Sequence, residues 1–457
     1  PPGTNGSSAR LAPCSAIGDA QATWTADLPT SGIYEVAVWY LESETRAPDA
    51  AYEIVHAEGT ASVTRDQTTS GSQWIPLGAW FFEPQGASVT LINRSAREGA
   101  SVCADAVRFR LEGTEYGNLY QGMWIYSWGV GFLTPDQTEA MIATARNSNQ
   151  NIILPQVRKA GDAYYKSDIE PFADNVEEGY EDPLADILEK AHDTSDGKQY
   201  IQVDAWMVPY RVWNASMGTP PDGHVLKKHP EWEGRRYDGK TDSTITLDPG
   251  VPGVTDYLVD VATELVEKYD VDGIHWDYFR YQSWEWGYNP IALARFKRLY
   301  NRTEDPDPRY DEEFNQFRRD QICHMGRKVY AAVKAVRWKC RISAATIGWG
   351  DILNGFEATR TYNEVFQDWP RFMEEGLLDM NVHMAYKREY VWDQARDFRD
   401  WMRVVGDRKG GRHGVDGPGV YLNSIEDSVT QIQTALDTPG VDGTIVYVYH
   451  MTNKDGV

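Results

Sequence analysis

The side chains with the most chemical scope lie where short β-type stretches end. The segment Val271-Asp272-Gly273-Ile274-His275-Trp276-Asp277-Tyr278-Phe279-Arg280-Tyr281 carries an aspartate to such an end and places an arginine three positions later. A carboxylate beside a guanidinium is either an ion pair that serves the fold or a reactive group kept charged. Other stretch ends supply Trp128, then Arg158, Asp162 and Tyr165, then Asp204, Trp206 and Arg211, then Trp349 and Asp351, then Tyr386, Lys387 and Glu389, and finally Tyr449 and His450. Flat aromatic rings mixed with carboxylates and guanidinium groups suit a polyhydroxylated ring. Two carboxyl groups about 5 Å apart, or ~6.5–9.5 Å apart, can cleave a bond between sugars, one giving a proton and the other facing the anomeric carbon. Asp277 fits the ionised role, because Arg280 lowers the pKa of a neighbouring carboxyl. Glu389, Asp351 and Asp204 compete for the role of acid. Lys387 and Arg388 count against Glu389 and Trp349 favours Asp351, yet Glu389 is preferred because its segment directly follows a strand.

Two other chemistries use the same residues. His275, His383 and His450, with Asp204 and Asp277, raise a metal-dependent hydrolase. Against it, the first stretch has no His-x-His pair, and His383 and Tyr386 have opposite strand parity. Each histidine is expected in the core, and neither a metal nor a cofactor is expected. The remaining alternative is a protein that binds glycan without cutting it; hydrolysis by two carboxylates is ruled out if none of Glu389, Asp351 and Asp204 lies within ~10 Å of Asp277.

These residues need a scaffold that gathers eight stretch ends. From about residue 119 the chain alternates apolar runs with helical periodicity, and eight strands are predicted at 123–128, 151–158, 200–209, 271–279, 340–347, 380–386, 418–423 and 442–449. That is the pattern of a (β/α)8 TIM barrel, whose active sites lie at the C-terminal ends of the strands. Thr134-Pro135-Asp136-Gln137 is a capping box that opens a helix to about Asn147, and Ser424 with Asp427 repeats it. Leu258, Val261, Ala262, Leu265, Val266 and Tyr269 recur at helical spacing. The sequence stops soon after the eighth strand, so the last helix is expected to be missing or truncated. Residues 1–112 read differently. Period-two alternation, as in Tyr34, Val36, Val38 and Tyr40, and turn signals such as Ser70-Gly71-Ser72 predict a separate antiparallel β-sandwich, leaving 113–457 for the barrel.

Composition narrows the partners. The 457 residues include 17 Trp and 26 Tyr, and the net charge is −23, which argues against nucleic acid and disfavours a strongly anionic, sulfated substrate unless a local basic cleft overcomes it. No run of ~18 apolar residues is present, so membrane insertion is not expected. The four cysteines fall two per domain. Cys14 with Cys103 is the preferred disulfide, joining the first and last segments of the sandwich, and Cys323 with Cys340 the weaker pair. The expected partner is an oligo- or polysaccharide, and the expected state a monomer that is secreted, periplasmic or on the cell surface.

Two family resemblances sharpen this. Leu28 to Val36, Gln73-Trp74-Ile75-Pro76-Leu77-Gly78 and Ala104 to Phe109 make the first domain resemble the golvesin C-terminal-like domain, a module often attached to bacterial carbohydrate enzymes, possibly carbohydrate-binding in its own right. From Gly122 onward the chain resembles the glycosyl-hydrolase-like family ten. The marks are Pro155-Gln156-Val157-Arg158 leading to Gly161-Asp162-Ala163-Tyr164-Tyr165, Ala205-Trp206 to Pro209-Tyr210-Arg211, Leu247-Asp248-Pro249-Gly250, and Val271 to Tyr281. The resemblance implies a glycoside hydrolase with Asp277 as nucleophile or as the charge that stabilises an oxocarbenium ion. This chain departs from the pattern at Asp204, where relatives often carry His, and at His383 to Glu389. The expected substrate-binding set is Trp128, Arg158, Asp162, Asp204, Trp206, Arg211, His275, Arg280, Tyr386 and Tyr449, around Asp277 with Glu389 or Asp351.

Overall fold

A computed structural model describes residues 9–28, 32–57, 59–113 and 119–456, in two compact units that divide between Leu119 and Tyr120. Residues 29–31, part of the first golvesin-like motif, lie outside the described residues.

The first unit is built from antiparallel strands. Gln21–Ala26, Ala87–Ile92, Ala50–His56 and Gly59–Arg65 form one sheet in that order, and Ile75–Phe82, Gly32–Trp39 and Ala106–Gly113 form a second. The alternation read from the sequence becomes burial: Tyr34, Val36, Val38 and Tyr40 are all 2% exposed or less, in one core with Tyr52, Ile54, Val89 and Leu91. The thiols do not pair. Arg10–Pro13 runs antiparallel to Ser101–Ala104 with Leu11, not Cys14, opposite Cys103. At ~3.4 Å per residue, three positions of offset carry the two Cα atoms beyond the ~7 Å a disulfide can span. Instead the Cys103 amide donates to Gln67 Oε1 and its sulfur accepts from the Leu41 amide. Cys323 and Cys340 are buried free thiols as well.

The second unit is a closed barrel of eight parallel strands: Tyr120–Ile125, Ile152–Arg158, Gln202–Met207, Gly273–Trp276, Arg341–Ile347, Met380–Ala385, His413–Pro418 and Gly443–Val446. Outward residues such as Ile274, Trp276, Ile342 and Ala344 pack under the helices, while Trp124, Leu154, Trp206, Ala345, Val382 and Ile445 fill the interior. The seventh strand lies five residues before its predicted place, and Val420–Leu422 is a short 3-10 helix. His-Gly-Val-Asp-Gly-Pro has no apolar run to reveal it, whereas the segment after it does. Helices Pro135–Asn147 and Ile425–Leu436 start at their expected caps, with Thr134 Oγ1 accepting from the Gln137 amide and Ser424 Oγ from the Asp427 amide. None of the described residues after Val446 is helical, and no described helix is long and apolar enough to cross a membrane.

Candidate active site

The mouth of the barrel opens into a cleft of about 370 Å³. Strand four delivers Asp277 to its wall because Gly273, His275 and Asp277 share inward parity. Its carboxylate is 6% exposed, and Oδ1 accepts from the Tyr278 amide at 2.6 Å. Tyr278 itself sits in the left-handed region at φ 53°, a conformation uncommon outside glycine that turns the chain sharply after Asp277. The aromatic lining comes from Trp128, Trp206, Trp349, Tyr386, Tyr421 and Tyr447, and the basic lining from Lys159, Arg211, Arg280 and Lys387. Tyr126, Gln156, Tyr278 and Met384 complete much of the rest.

Burial pushes the Asp277 carboxyl above the ordinary aspartate value of 3.8, against the opposing pull of Arg280, the Tyr278 amide, Trp206 and Arg211. Arg280 does pull the carboxyl down as expected, but burial outweighs it. Arg280 is close enough to act on the carboxylate but forms no ion pair with it; its guanidinium lies over the rings of Tyr278, at 4.7 Å, and Trp349, at 5.2 Å. The Trp206 indole N–H approaches the carboxylate without completing a hydrogen bond.

Trp128, Trp206, Arg211, Arg280, Tyr386 and Asp277 thus meet in one cleft. Several other expected members do not. Glu389 turns away to Arg399 Nη2 at 2.5 Å, with Gln431 at 3.4 Å. Asp351 is exposed and caps its own loop through the Leu353 amide at 2.8 Å. Asp204, fully buried, faces inward near the floor, where Arg341 clasps it with Nε at 3.0 Å and Nη2 at 2.7 Å. It pairs with Gly273 in register, so Asp277 lies four residues, ~13 Å, further along the barrel. Arg158 is turned from the mouth by an irregularity in register between Gln156 and Arg158, and is sealed against Glu170 and the carbonyls of Val208 and Pro209. Asp162 accepts from the amides of Lys159 and Ala160 and so fixes the turn after strand two. His275 lies below the cleft, its Nε2 accepting from Trp124 Nε1 at 3.0 Å and its Nδ1 within 2.9 Å of Ser343 Oγ; burial holds its pKa down to about 3. Tyr449 packs against the outer core, and Tyr447 takes the place at the mouth expected of it.

Tyr447 was legible. It shares parity with Gly443 and Ile445, but extending strand eight to residue 449 hid this. Lys159 carried no such signal, since the strand-two irregularity that swings it into the wall cannot be read from neighbouring residues. Asp248, from the Leu-Asp-Pro-Gly motif, borders a separate small void and accepts from the amides of Gly250 and Asn289; burial first of all raises its pKa to about 6. That motif shapes a loop. Among the described residues no group of three or more His, Cys, Asp or Glu side chains lies close enough to hold a metal ion.

The geometry agrees with what the chain resembles. Residues 120–399 match the family described as Glycosyl hydrolase-like 10, and residues 2–111 the Golvesin C-terminal domain. Glycosyl hydrolase YngK of Bacillus subtilis (strain 168) is 22% identical over 269 residues, covering 54% of this chain and 48% of that protein. Glycosyl hydrolase DigH of Escherichia coli (strain K12) is 26% identical over 265 residues, covering 52% and 54%. The chain spans about half the length of these curated relatives. The glycoside hydrolase domain of PgaB (BpsB) from Bordetella bronchiseptica shares the fold, with a TM-score of 0.50 at 11% identity over 72% of this chain and 93% of that one. With one family description covering the barrel from its first strand to residue 399, this chain belongs to the Glycosyl hydrolase-like 10 family, with a golvesin C-terminal domain ahead of its barrel.

Proposed function

We propose that the cleft cleaves a glycosidic bond and that Asp277 gives its proton to the leaving oxygen. One observation carries this: among the described residues Asp277 is the single carboxylate lining an aromatic cleft, and burial pushes its carboxyl toward the protonated form. A two-carboxylate mechanism has no second member here, since Glu389, Asp351 and Asp204 all point elsewhere. The same residue therefore serves both halves of the reaction. The carboxylic acid protonates the glycosidic oxygen as the bond to the anomeric carbon breaks. The carboxylate left behind takes a proton from the water that adds on the vacated face, which regenerates the acid and retains the anomeric configuration.

The experiment is to follow reducing ends and anomeric stereochemistry on a glycan panel for wild type and Asp277→Asn. Retention lost in the variant supports the assignment, whereas an inverted product requires a base on the opposite face and overturns it. A second reading, sugar binding without cleavage, draws on the same lack of a second carboxylate. It holds if the wild-type protein binds a glycan in this cleft and releases no reducing ends from it. The golvesin C-terminal domain ahead of the barrel supports a protein that meets its glycan outside the cytoplasm.

A further inference from the structure

A net charge of −23 argues against an anionic ligand, yet the cleft walls carry the opposite sign. Four basic side chains line the cleft against the single carboxylate of Asp277. Two of them are already matched. Lys387 Nζ pairs with Asp397, and Lys159 Nζ lies 3.9 Å from Asp162 and donates to Asn175 at 2.8 Å. Arg211 and Arg280 have no ion-pair partner within 4 Å among the described residues. Arg280 donates one long bond, to the Tyr281 carbonyl at 3.4 Å, and its buried Nε finds no acceptor among the described residues. Both guanidinium groups rest on the Tyr278 ring, at 5.8 and 4.7 Å from its centre. A buried or half-buried guanidinium that makes no ion pair and leaves donors unmet is costly unless something completes it.

We propose that the glycan taken by this cleft bears a carboxylate on or beside the ring at Asp277, and that Arg211 and Arg280 grip it. This rests on reading the cleft as the glycan site. A guanidinium fork matches a planar carboxylate in two parallel hydrogen bonds. The net charge of −23 acts on a uronate polymer and on a sulfate ester alike, so the fit of the carboxylate to the guanidinium fork is what separates them. The pairing also deepens the role of Asp277. A bound anion beside it disfavours its ionised form further, so the correct ligand itself promotes the proton donor.

The test uses three forms of one β-glucan backbone: unmodified soluble oligosaccharide, its C6-oxidised polyglucuronate, and its sulfate ester. Each is titrated calorimetrically into the full chain, Arg211→Gln, Arg211→Lys and Arg280→Gln at fixed ionic strength. Polyglucuronate is expected to bind at least about tenfold tighter than the unmodified glucan, and each Gln variant to lose about tenfold, the size of one charged hydrogen-bonding partner. Arg211→Lys, which keeps the charge and loses the fork, is expected to lie between. Equal binding of the oxidised and unmodified forms, no binding of either, tighter binding of the sulfate ester, or indifference to both Gln variants each overturns the proposal. If Arg280→Gln does not fold, Arg211→Gln alone decides. Reducing ends measured on the same samples separate the two readings. Binding of polyglucuronate without release keeps the carboxylate grip and removes hydrolysis, and release confined to neutral glycans does the reverse.

Discussion

The floor and the mouth of the barrel each hold a buried aspartate near an arginine, and they are wired in opposite ways. At the floor, Asp204 takes two hydrogen bonds from Arg341, and Ser343 Oγ lies 3.4 Å from its Oδ2. Ser343 meets His275, and His275 accepts from Trp124, so the tautomer follows: Trp124 can only donate, which leaves the proton on His275 Nδ1. Burial pushes the Asp204 carboxyl up just as it does that of Asp277, but here the Arg341 guanidinium opposes it through direct hydrogen bonds, and the Asp204 carboxylate in turn holds the guanidinium protonated against its own burial. Even the backbone is committed: a Cβ on Gly273 would stand 2.4 Å from Asp204 Oδ1. At the mouth, Asp277 and Arg280 share a wall without pairing, the arginine rests on aromatic faces, and the carboxyl is driven toward protonation. Matched charges make structure. Charges held apart in a cleft are available to a ligand.

The largest expected effect breaks the mouth. Asp277→Asn should lower turnover by about 10²–10⁴-fold, the range for losing a general acid, with ligand binding retained. Because the acid must be protonated, wild-type turnover should fall as pH rises through its raised pKa, and steady-state rates from acid to neutral pH would show that limb. Stability should move the other way. The folded pKa lies above the unfolded one, so the contribution of Asp277 to stability is full below the ordinary aspartate value of 3.8 and is lost as pH rises through the folded value. Asp277→Asn should therefore melt higher than wild type at neutral pH, with the gain shrinking in acid. A variant less stable at neutral pH would show that its charge serves the fold, as that of Asp204 does.

Next in size is the floor. Asp204→Asn leaves Arg341 inside the barrel without its counter-charge and should cost about 3–5 kcal/mol, measured by urea unfolding. Turnover per folded molecule should change little, because the site lies ~13 Å above. A variant with wild-type stability and lost turnover would reverse the assignment of floor and mouth.

The sequence made the same distinction only in part. Strand-helix alternation and the two capping boxes were enough for the barrel, and period two for the sandwich. Asp277, Trp206 and Tyr386 were legible because parity carries them to a strand end, and Arg211 because it follows one closely. Asp204 looked equivalent to Asp277, and only the position of each along its strand, floor or mouth, tells them apart. Arg341, the partner that defines the floor, opens strand five, 137 residues away from Asp204, and no local pattern joins them. Glu389 failed for a related reason: its partner Arg399 lies in the next helix, Trp392–Arg408, facing the loop from outside the barrel.

A smaller effect tests the aromatic wall. Trp206→Ala removes an indole that is 3% exposed and lines the cleft beside Asp277. If the ring supplies uniform binding, KM should rise by roughly tenfold or more with kcat nearly kept, since an aromatic contact of this kind is worth about 0.5–1.5 kcal/mol beyond its buried area. Equal losses in kcat and kcat/KM would instead place the indole N–H in the transition state, completing toward Asp277 the hydrogen bond that the free cleft leaves open.

The smallest expected effect is the most direct check on how carboxylates were assigned. Glu389→Gln keeps the shape of the side chain and removes the charge that meets Arg399, whose own side chain is 37% exposed. A pair open to solvent on one side contributes about 0–1 kcal/mol, so the loss of stability should fall in that range and diminish in salt. The Gln431 contact at 3.4 Å survives the change, because the amide oxygen still accepts. Turnover should stay within about twofold of wild type at every pH, and aryl glycosides should show no advantage over glycans with poor leaving groups. A true acid behaves otherwise: its loss spares good leaving groups and punishes poor ones. If Glu389→Gln shows that selective pattern, the loop after strand six must swing into the mouth when substrate binds, breaking Glu389 from Arg399. The cleft would then hold two carboxylates, and Asp277 would return to the ionised role that the closed arrangement denies it.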